Sequence, residues 1–156
     1  METGEGQLMK LLRPPGALEE TRFLEVCTKC SNCLEVCDGA IIMNSHEGPE
    51  SFPHINPREE PCKLCMECVD VCPTGALEKV EREKVKMGVA VIDESKCFSY
   101  HGLLCGFCIR RCPLENVALT TYSWEKPMVN EEKCVGCGAC EFICIHPDKA
   151  ITVRPK

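Results

Sequence analysis

Brief stretches of alternating apolar and polar residues recur along this chain, each flanking a run in which cysteine holds the regular inward position. Ahead of three of these runs lie short segments ending in Asn or Asp: His54-Ile55-Asn56, Val89-Ala90-Val91-Ile92-Asp93 and Met128-Val129-Asn130. β-Branched residues alternating in this way predict brief strands. A small residue and an aliphatic follow each run, at residues 39–42, 75–77, 117–119 and 149–151. Within the runs the pattern predicts a short helical turn carrying cysteines two to four. Near the start, Pro14-Pro15-Gly16 halts any structure before it. Residues 17–26 then carry Leu18, Phe23 and Val26 at helical spacing with acidic residues early, which predicts a short helix. Residues 1–13 find no partner in this pattern; disorder and contact with another subunit are the two readings. Gly88 and Pro127 suit the turns of hairpin-like returns between runs.

The cysteines form four quartets. Their first members, Cys27, Cys62, Cys97 and Cys134, stand 35, 35 and 37 residues apart, so the chain is a fourfold repeat. The first quartet is Cys27, Cys30, Cys33 and Cys37; the second is Cys62, Cys65, Cys68 and Cys72. The fourth is Cys134, Cys137, Cys140 and Cys144, with the same spacing. The third is stretched at one point, with Phe-Ser-Tyr-His-Gly-Leu-Leu between Cys97 and Cys105 before Cys108 and Cys112.

All 16 cysteines of the 156 residues are used, a density reserved for disulfide frameworks or metal clusters. No apolar signal-peptide core opens the sequence and no stretch approaches the roughly 20 apolar residues that cross a bilayer. The expectation is a reduced, cytoplasmic setting in which thiolates stay available to metal. Two residues between ligands let neighbouring thiolates converge on one centre. The fourth cysteine of such a run reaches instead to the other cluster of a pair, so the motif comes in multiples. Zinc sites pair two such knuckles and need no third cysteine in series. A three-iron centre typically loses a cysteine, often to Asp, and no quartet has lost one. Asp38 and Asp70 flank cysteines without replacing any and read as solvated or capping groups. The expectation is therefore four [4Fe–4S] clusters on sixteen cysteine ligands.

The formal charge of -6 becomes about -14 once four clusters are counted with their thiolates. That excludes a nucleic-acid partner, whose phosphates need a basic face. With aromatics at 5%, the clusters must replace much of the hydrophobic centre, and folding should depend on them. The fold class this implies is α+β: two bacterial-type dicluster ferredoxin units of short hairpins and helical turns around clusters. Residues 1–26 are set apart as an arm and short helix available to a partner; residues 27–156 form the four-cluster domain.

The flanks carry more than the generic motif. The segments around Cys27–Cys33, the Pro-Cys-Lys-Leu-Cys-Met-Glu-Cys run, the strand before Cys97, the stretched third quartet with Gly102, Leu103 and Leu104, and the fourth quartet resemble the ferredoxin-type proteins of the MauM/NapG group. That resemblance implies a four-cluster electron carrier; some members are periplasmic and deliver electrons from quinol oxidation to nitrate reductase systems. This chain departs from those in lacking an export signal. In size and cluster count it also resembles the small electron-transfer subunits of tungsten-dependent aldehyde oxidoreductases and benzoyl-CoA reductases. This second resemblance implies a large partner subunit holding tungsten or molybdenum pterin, with a flavin subunit or further ferredoxin-like subunits beside it. A non-catalytic wire subunit for an aldehyde-oxidising enzyme is the leading expectation. A free polyferredoxin, a nitrate-reductase-associated ferredoxin and an interaction module with structural clusters are the alternatives.

No Rossmann glycine fingerprint, P-loop or zinc-protease motif occurs. His46, His54, His101 and His146 are scattered; His101, in the stretched loop, reads as a loop histidine or as a group coupled to a nearby cluster charge. Tyr122 and Trp124 suit either an interface anchor or a cap on the small core. Phe98, Tyr100, Phe107 and Phe142 suit a dry shell around clusters. Pro73 and Pro113 follow the second and third quartets, where Asp38 and Ile145 follow the first and fourth, altering hydrogen bonding near Cys37 and Cys144. Two pairings of quartets are open: tandem, first with second and third with fourth, or nested. Resemblance to molybdenum and tungsten oxidoreductase subunits favours nesting, in which Cys72 joins Cys97, Cys105 and Cys108, and Cys37 joins Cys134, Cys137 and Cys140.

Overall fold

A computed structural model describes residues 10–123 and 125–156. Its elements are all short, because each strand ends where the chain must turn into a cysteine run. In order they are α1 (Glu20–Val26), α2 (Asn32–Glu35), β1 (Ile41–Ile42), β2 (His54–Ile55), α3 (Glu67–Asp70), β3 (Gly88–Ile92), α4 (Phe107–Arg111), β4 (Leu119–Tyr122), β5 (Lys126–Val129), α5 (Ala139–Ile143) and β6 (Ile151–Pro155). Each quartet contributes one helical turn, α2 to α5, with the third cysteine inside it and the fourth just beyond.

Strand pairing divides the chain into two similar halves. In the second half β3 pairs antiparallel with β6, and β4 with β5, so the outer strands enclose an inner hairpin. The first half repeats this with less: β1 pairs with β2, and the outer pair shrinks to the bridge Ala17↔Leu77. The segment 73–96 joins the two halves. It runs from the end of the first half through a 3-10 turn at Arg82–Lys84 into β3.

Apolar burial forms two cores, the first of which also takes in Met87, Val135 and Ala139 of the second half. Phe23, Ile41, Ile55, Val69 and Leu77 lie in one core, and Ala90, Ile109, Leu119 and Ile151 in the other. Phe23 is fully buried from α1, where helical spacing turns it inward against Phe52 with ring centroids 6.4 Å apart. The expected partner-seeking arm is partly accounted for within the chain: Leu12 pairs with Ile55 and extends the β1–β2 ribbon. Arg13 is buried and forms two bonds to Glu20, at 2.6 and 3.0 Å, while donating to the carbonyls of Pro49 and Pro53 at 3.1 and 3.0 Å. Residues 1–9 of that arm, and the proposed anchor Trp124 with the side chain of Tyr122, lie outside the described residues.

Candidate cluster sites

The backbone of each run explains how its thiols converge. Lys29 and Ser31, Leu64 and Met66, and Gly136 and Gly138 bracket the second cysteine of their quartets in the left-handed region, at φ between 56° and 85°. Alternating right- and left-handed residues curl successive N–H groups around a concavity suited to an anionic centre. The amide of Leu64 accordingly donates to Cys62 Sγ at 3.4 Å, and that of Ala90 to Cys134 Sγ at 3.4 Å. In the third quartet Gly102 and Gly106 are left-handed, before and after Cys105, because seven residues rather than two separate Cys97 from Cys105 and replace the tight first turn.

Four cavities result, each ringed by four cysteines. Cys27, Cys30 and Cys33 share one with Cys72; Cys62, Cys65 and Cys68 share a second with Cys37. Cys97, Cys105 and Cys108 share a third with Cys144; Cys134, Cys137 and Cys140 share a fourth with Cys112. The fourth cysteine crosses over in every case, and the crossing is tandem. The nested expectation is thereby corrected: Cys37 stands with Cys62, and Cys72 with Cys27. Strand pairing decides this, since β1–β2 and β4–β5 tie consecutive quartets together and leave no route for Cys72 to reach Cys97.

The first, third and fourth cavities are close to one another in size, so the same kind of group suits all three; the second is larger. Among the described residues, no three of His, Cys, Asp and Glu are arranged to hold a single metal ion. Zinc draws its thiolates to within about 2.3 Å of one centre. Four thiols around a void are instead suited to a multi-atom core. Charge points the same way. Burial pushes Cys33, Cys62 and Cys137 up to about 11 and Cys68 and Cys108 up to about 12, with neighbouring thiols adding to the effect. Such groups ionise readily only against a positively charged centre. Cys72 is the exception: burial raises it, but bonds from the Leu77 amide and from Thr74 outweigh burial and hold it below the usual thiol range. The residues present therefore fit an iron-sulphur core in each cavity.

The two halves meet at the second and fourth cavities. Cys62 N donates to Cys137 O at 2.9 Å. Arg58 Nε reaches the buried Glu141 Oε1 at 3.0 Å, and Glu141 Oε2 accepts from Val153 N at 2.7 Å. Gly138 permits this approach, since a Cβ there would stand 2.5 Å from Pro57 Cβ; beside it Gly136 packs on β3 of its own half, where a Cβ would stand 2.3 Å from Gly88 N. Within each half, α2 packs on α3 and α4 on α5, bringing Cys33 toward Cys68 and Cys108 toward Cys140. The cavities thus run in the order first, second, fourth, third.

Other sequence candidates fall around these sites. Asp38 pairs with Lys63, and Asp70 with Lys79 at 3.4 Å, on the exposed surface. His101 is exposed with Nε2 against Ser95 O at 2.9 Å, and it does not line the third cavity. His146 does, tilted against Phe98 with ring centroids 5.3 Å apart, and spacing alone gave no sign of it. Phe98 and Phe107 line the third cavity, whereas Tyr100 donates its hydroxyl to Pro127 O at 3.0 Å and Phe142 lines none of the four. Pro113 borders the fourth cavity and Ile145 the third.

Three family models, each described as a 4Fe-4S dicluster domain, match residues 26–77, 61–116 and 89–145. The first and last coincide with the two halves; the middle one spans quartets that the fold assigns to different halves. The methylamine utilization ferredoxin-type protein MauM of Methylobacillus flagellatus is 39% identical over 94% of this chain and 69% of its own length. MauM of Methylorubrum extorquens is 38% identical over 94% of this chain and 74% of its own length. The ferredoxin-type protein NapG of Escherichia coli is 34% identical over 92% of this chain and 70% of its own length. These relatives correct the cytoplasmic expectation. MauM and NapG proteins are periplasmic or periplasm-facing, and the expectation had rested on how the sequence begins. No helix among the described residues is long and apolar enough to cross a membrane.

Proposed function

This chain belongs to the MauM/NapG family of ferredoxin-type iron-sulphur electron-transfer proteins, and from that premise we propose that it carries four [4Fe–4S] clusters as a one-electron relay. The sixteen cysteines would hold them in tandem pairs, the first three of each quartet with the fourth of its neighbour. Bound there, each cluster supplies a site that takes up and gives back a single electron. The observation that carries this reading is the set of four four-cysteine cavities in one unbroken series.

The chain's own residues do the rest. The left-handed turns at Lys29, Ser31, Leu64 and Met66 bring amides toward thiolate sulphur and stabilise its negative charge. Ala76, Leu77, Ala118 and Val135 keep the cavity walls dry. The backbone bond between Cys62 and Cys137 fixes the separation of the two halves, so an electron need not wait for the halves to move.

The partner follows from the NapG likeness: a periplasm-facing molybdenum-dependent oxidoreductase system of the nitrate reductase type. This replaces the tungsten and aldehyde reading with its flavin subunit, which rested on size and on how the sequence begins. Iron and acid-labile sulphide assays on anaerobically purified protein should give about 16 of each per chain. About eight of each in fully loaded protein would defeat the four-cluster reading. A redox titration should show reversible signals; silent clusters would favour a structural role instead.

A further inference from the structure

Among the described residues, four of the six exposed large apolar side chains gather at one place. Leu103, Leu104, Phe107 and Ile145 are 57%, 75%, 43% and 54% exposed. Phe107 and Ile145 line the third cavity, and Leu103 and Leu104 lead directly into Cys105 on its wall. The other two, Val117 and Met128, line none of the four cavities. The four come from two segments far apart in sequence, the third-quartet insertion with α4 and the loop after Cys144, so the grouping is a product of the fold. The third cavity is also the last of the series.

The rim is basic. Arg110 and Arg111 stand three and four positions after Phe107, on the same side of α4. The Arg110 guanidinium lies over the Phe107 ring, 5.2 Å from its centroid, and Glu125 offsets it only from one side at 3.3 Å. The chain as a whole is acidic, with a formal charge of -6 before any cluster is counted. Against that background the arginine pair beside the apolar patch attracts an acidic partner to this rim. A second copy would set one arginine pair against another, and an anionic lipid surface would meet the repulsion of the whole body.

We infer that the Leu103, Leu104, Phe107 and Ile145 patch over the third cavity is the docking surface for an acidic one-electron carrier protein whose own cofactor edge lies in an apolar surface. The inference rests on the relay reading and assigns its terminal contact. One electron leaves a reduced cluster in the third cavity and enters the carrier's oxidised cofactor; no bond is made or broken in this chain. The stretch of seven residues that separates Cys97 from Cys105, in place of two, thereby has a task, since it supplies Leu103 and Leu104.

The probe is oxidised flavodoxin, an acidic carrier with an exposed apolar flavin edge. Reduced holoprotein, freed of reductant, is mixed with it in a stopped-flow instrument, and binding is measured separately by calorimetry. The wild type should bind saturably, more weakly as salt rises. L103E/L104E should weaken binding and slow transfer at least tenfold, with iron content and low-temperature spin-resonance signals unchanged. V117E should stay within twofold of wild type. Should the double variant load less iron, Leu104→Ser alone serves, with a threefold loss expected. Equal rates in wild type and L103E/L104E, an equal loss in V117E, or no binding by the wild type would each overturn the proposal. So would a dimer, or flotation with phosphatidylglycerol vesicles, that L103E/L104E abolishes. Clusters that fail to reduce reversibly in the wild type would defeat the relay itself; reversible clusters with an unaffected variant would defeat only the docking surface.

Discussion

The amide nitrogen of Cys62 donates to the carbonyl oxygen of Cys137 at 2.9 Å, so the loops of the second and fourth quartets are joined backbone to backbone. Neither quartet is paired with the other through its crossing cysteine. The bond is therefore what turns two ferredoxin-like halves into one series of four cavities.

The crossing itself can be counted in iron. Cys30→Ala and Cys72→Ala should each remove about four iron atoms, and the double variant no more than either. Cys72→Ala combined with Cys105→Ala should remove about eight. Nested pairing reverses the two outcomes, so iron assays on the double variants separate the schemes.

Beside the junction, Gly136 combines a φ of +74° with a Cβ position 2.3 Å from Gly88 N. Gly102 has a φ of +80° and nothing within 4 Å, so Gly102→Ala isolates the conformational strain at about 1–2 kcal/mol. Gly136→Ala adds a backbone clash and should cost about 3 kcal/mol or more. Urea midpoints of the loaded protein under anaerobic conditions measure both; equal losses would mean that the close approach contributes nothing.

Arg13 is buried with Glu20 as its ionic partner, and Arg13→Ala would leave that carboxylate uncompensated. The loss should be about 3–5 kcal/mol. Replacing both members, as Arg13→Met with Glu20→Leu, should cost clearly less than the sum of the single changes. A double-mutant cycle on unfolding midpoints checks this, and strict additivity would show that the pair is not coupled.

Thr74 places its hydroxyl 3.7 Å from Cys72 Sγ, and its backbone and that of Leu77 also reach the sulphur. Bonds of this kind favour the more negatively charged, reduced state. Thr74→Val should lower the potential of the first-cavity cluster by on the order of 40 mV, the one-electron equivalent of about 1 kcal/mol. A spin-resonance redox titration reads the shift. No change, or a rise, would mean that the hydroxyl does not donate to the thiolate.

Much of the chemistry was local and therefore legible in the sequence. Two- and three-residue spacings dictate how near neighbouring thiols can come, which is why Cys27, Cys30 and Cys33 and their counterparts fall around common cavities. The strands before Cys62, Cys97 and Cys134 were likewise readable, because β-branched alternation reports a half-buried ribbon wherever it occurs. The helix carrying Phe23 began at Glu20 rather than at residue 17, since Ala17 and Leu18 are taken up in pairing with the end of the second quartet.

Pairing of the quartets was not local. Each repeat offers the same crossing cysteine, so Cys72 could equally serve the repeat before it or after it until β1 meets β2 and β3 meets β6. The same limit hid Arg13 behind a seemingly partnerless arm, and left His146 and Ile145 unconnected to the insertion they face. Sequence determined which thiols can converge on a common centre, because that depends on residue type and short spacing. Tertiary structure decided which thiols share a cavity, the order of the cavities and where the series meets solvent, because those depend on contacts between residues tens of positions apart.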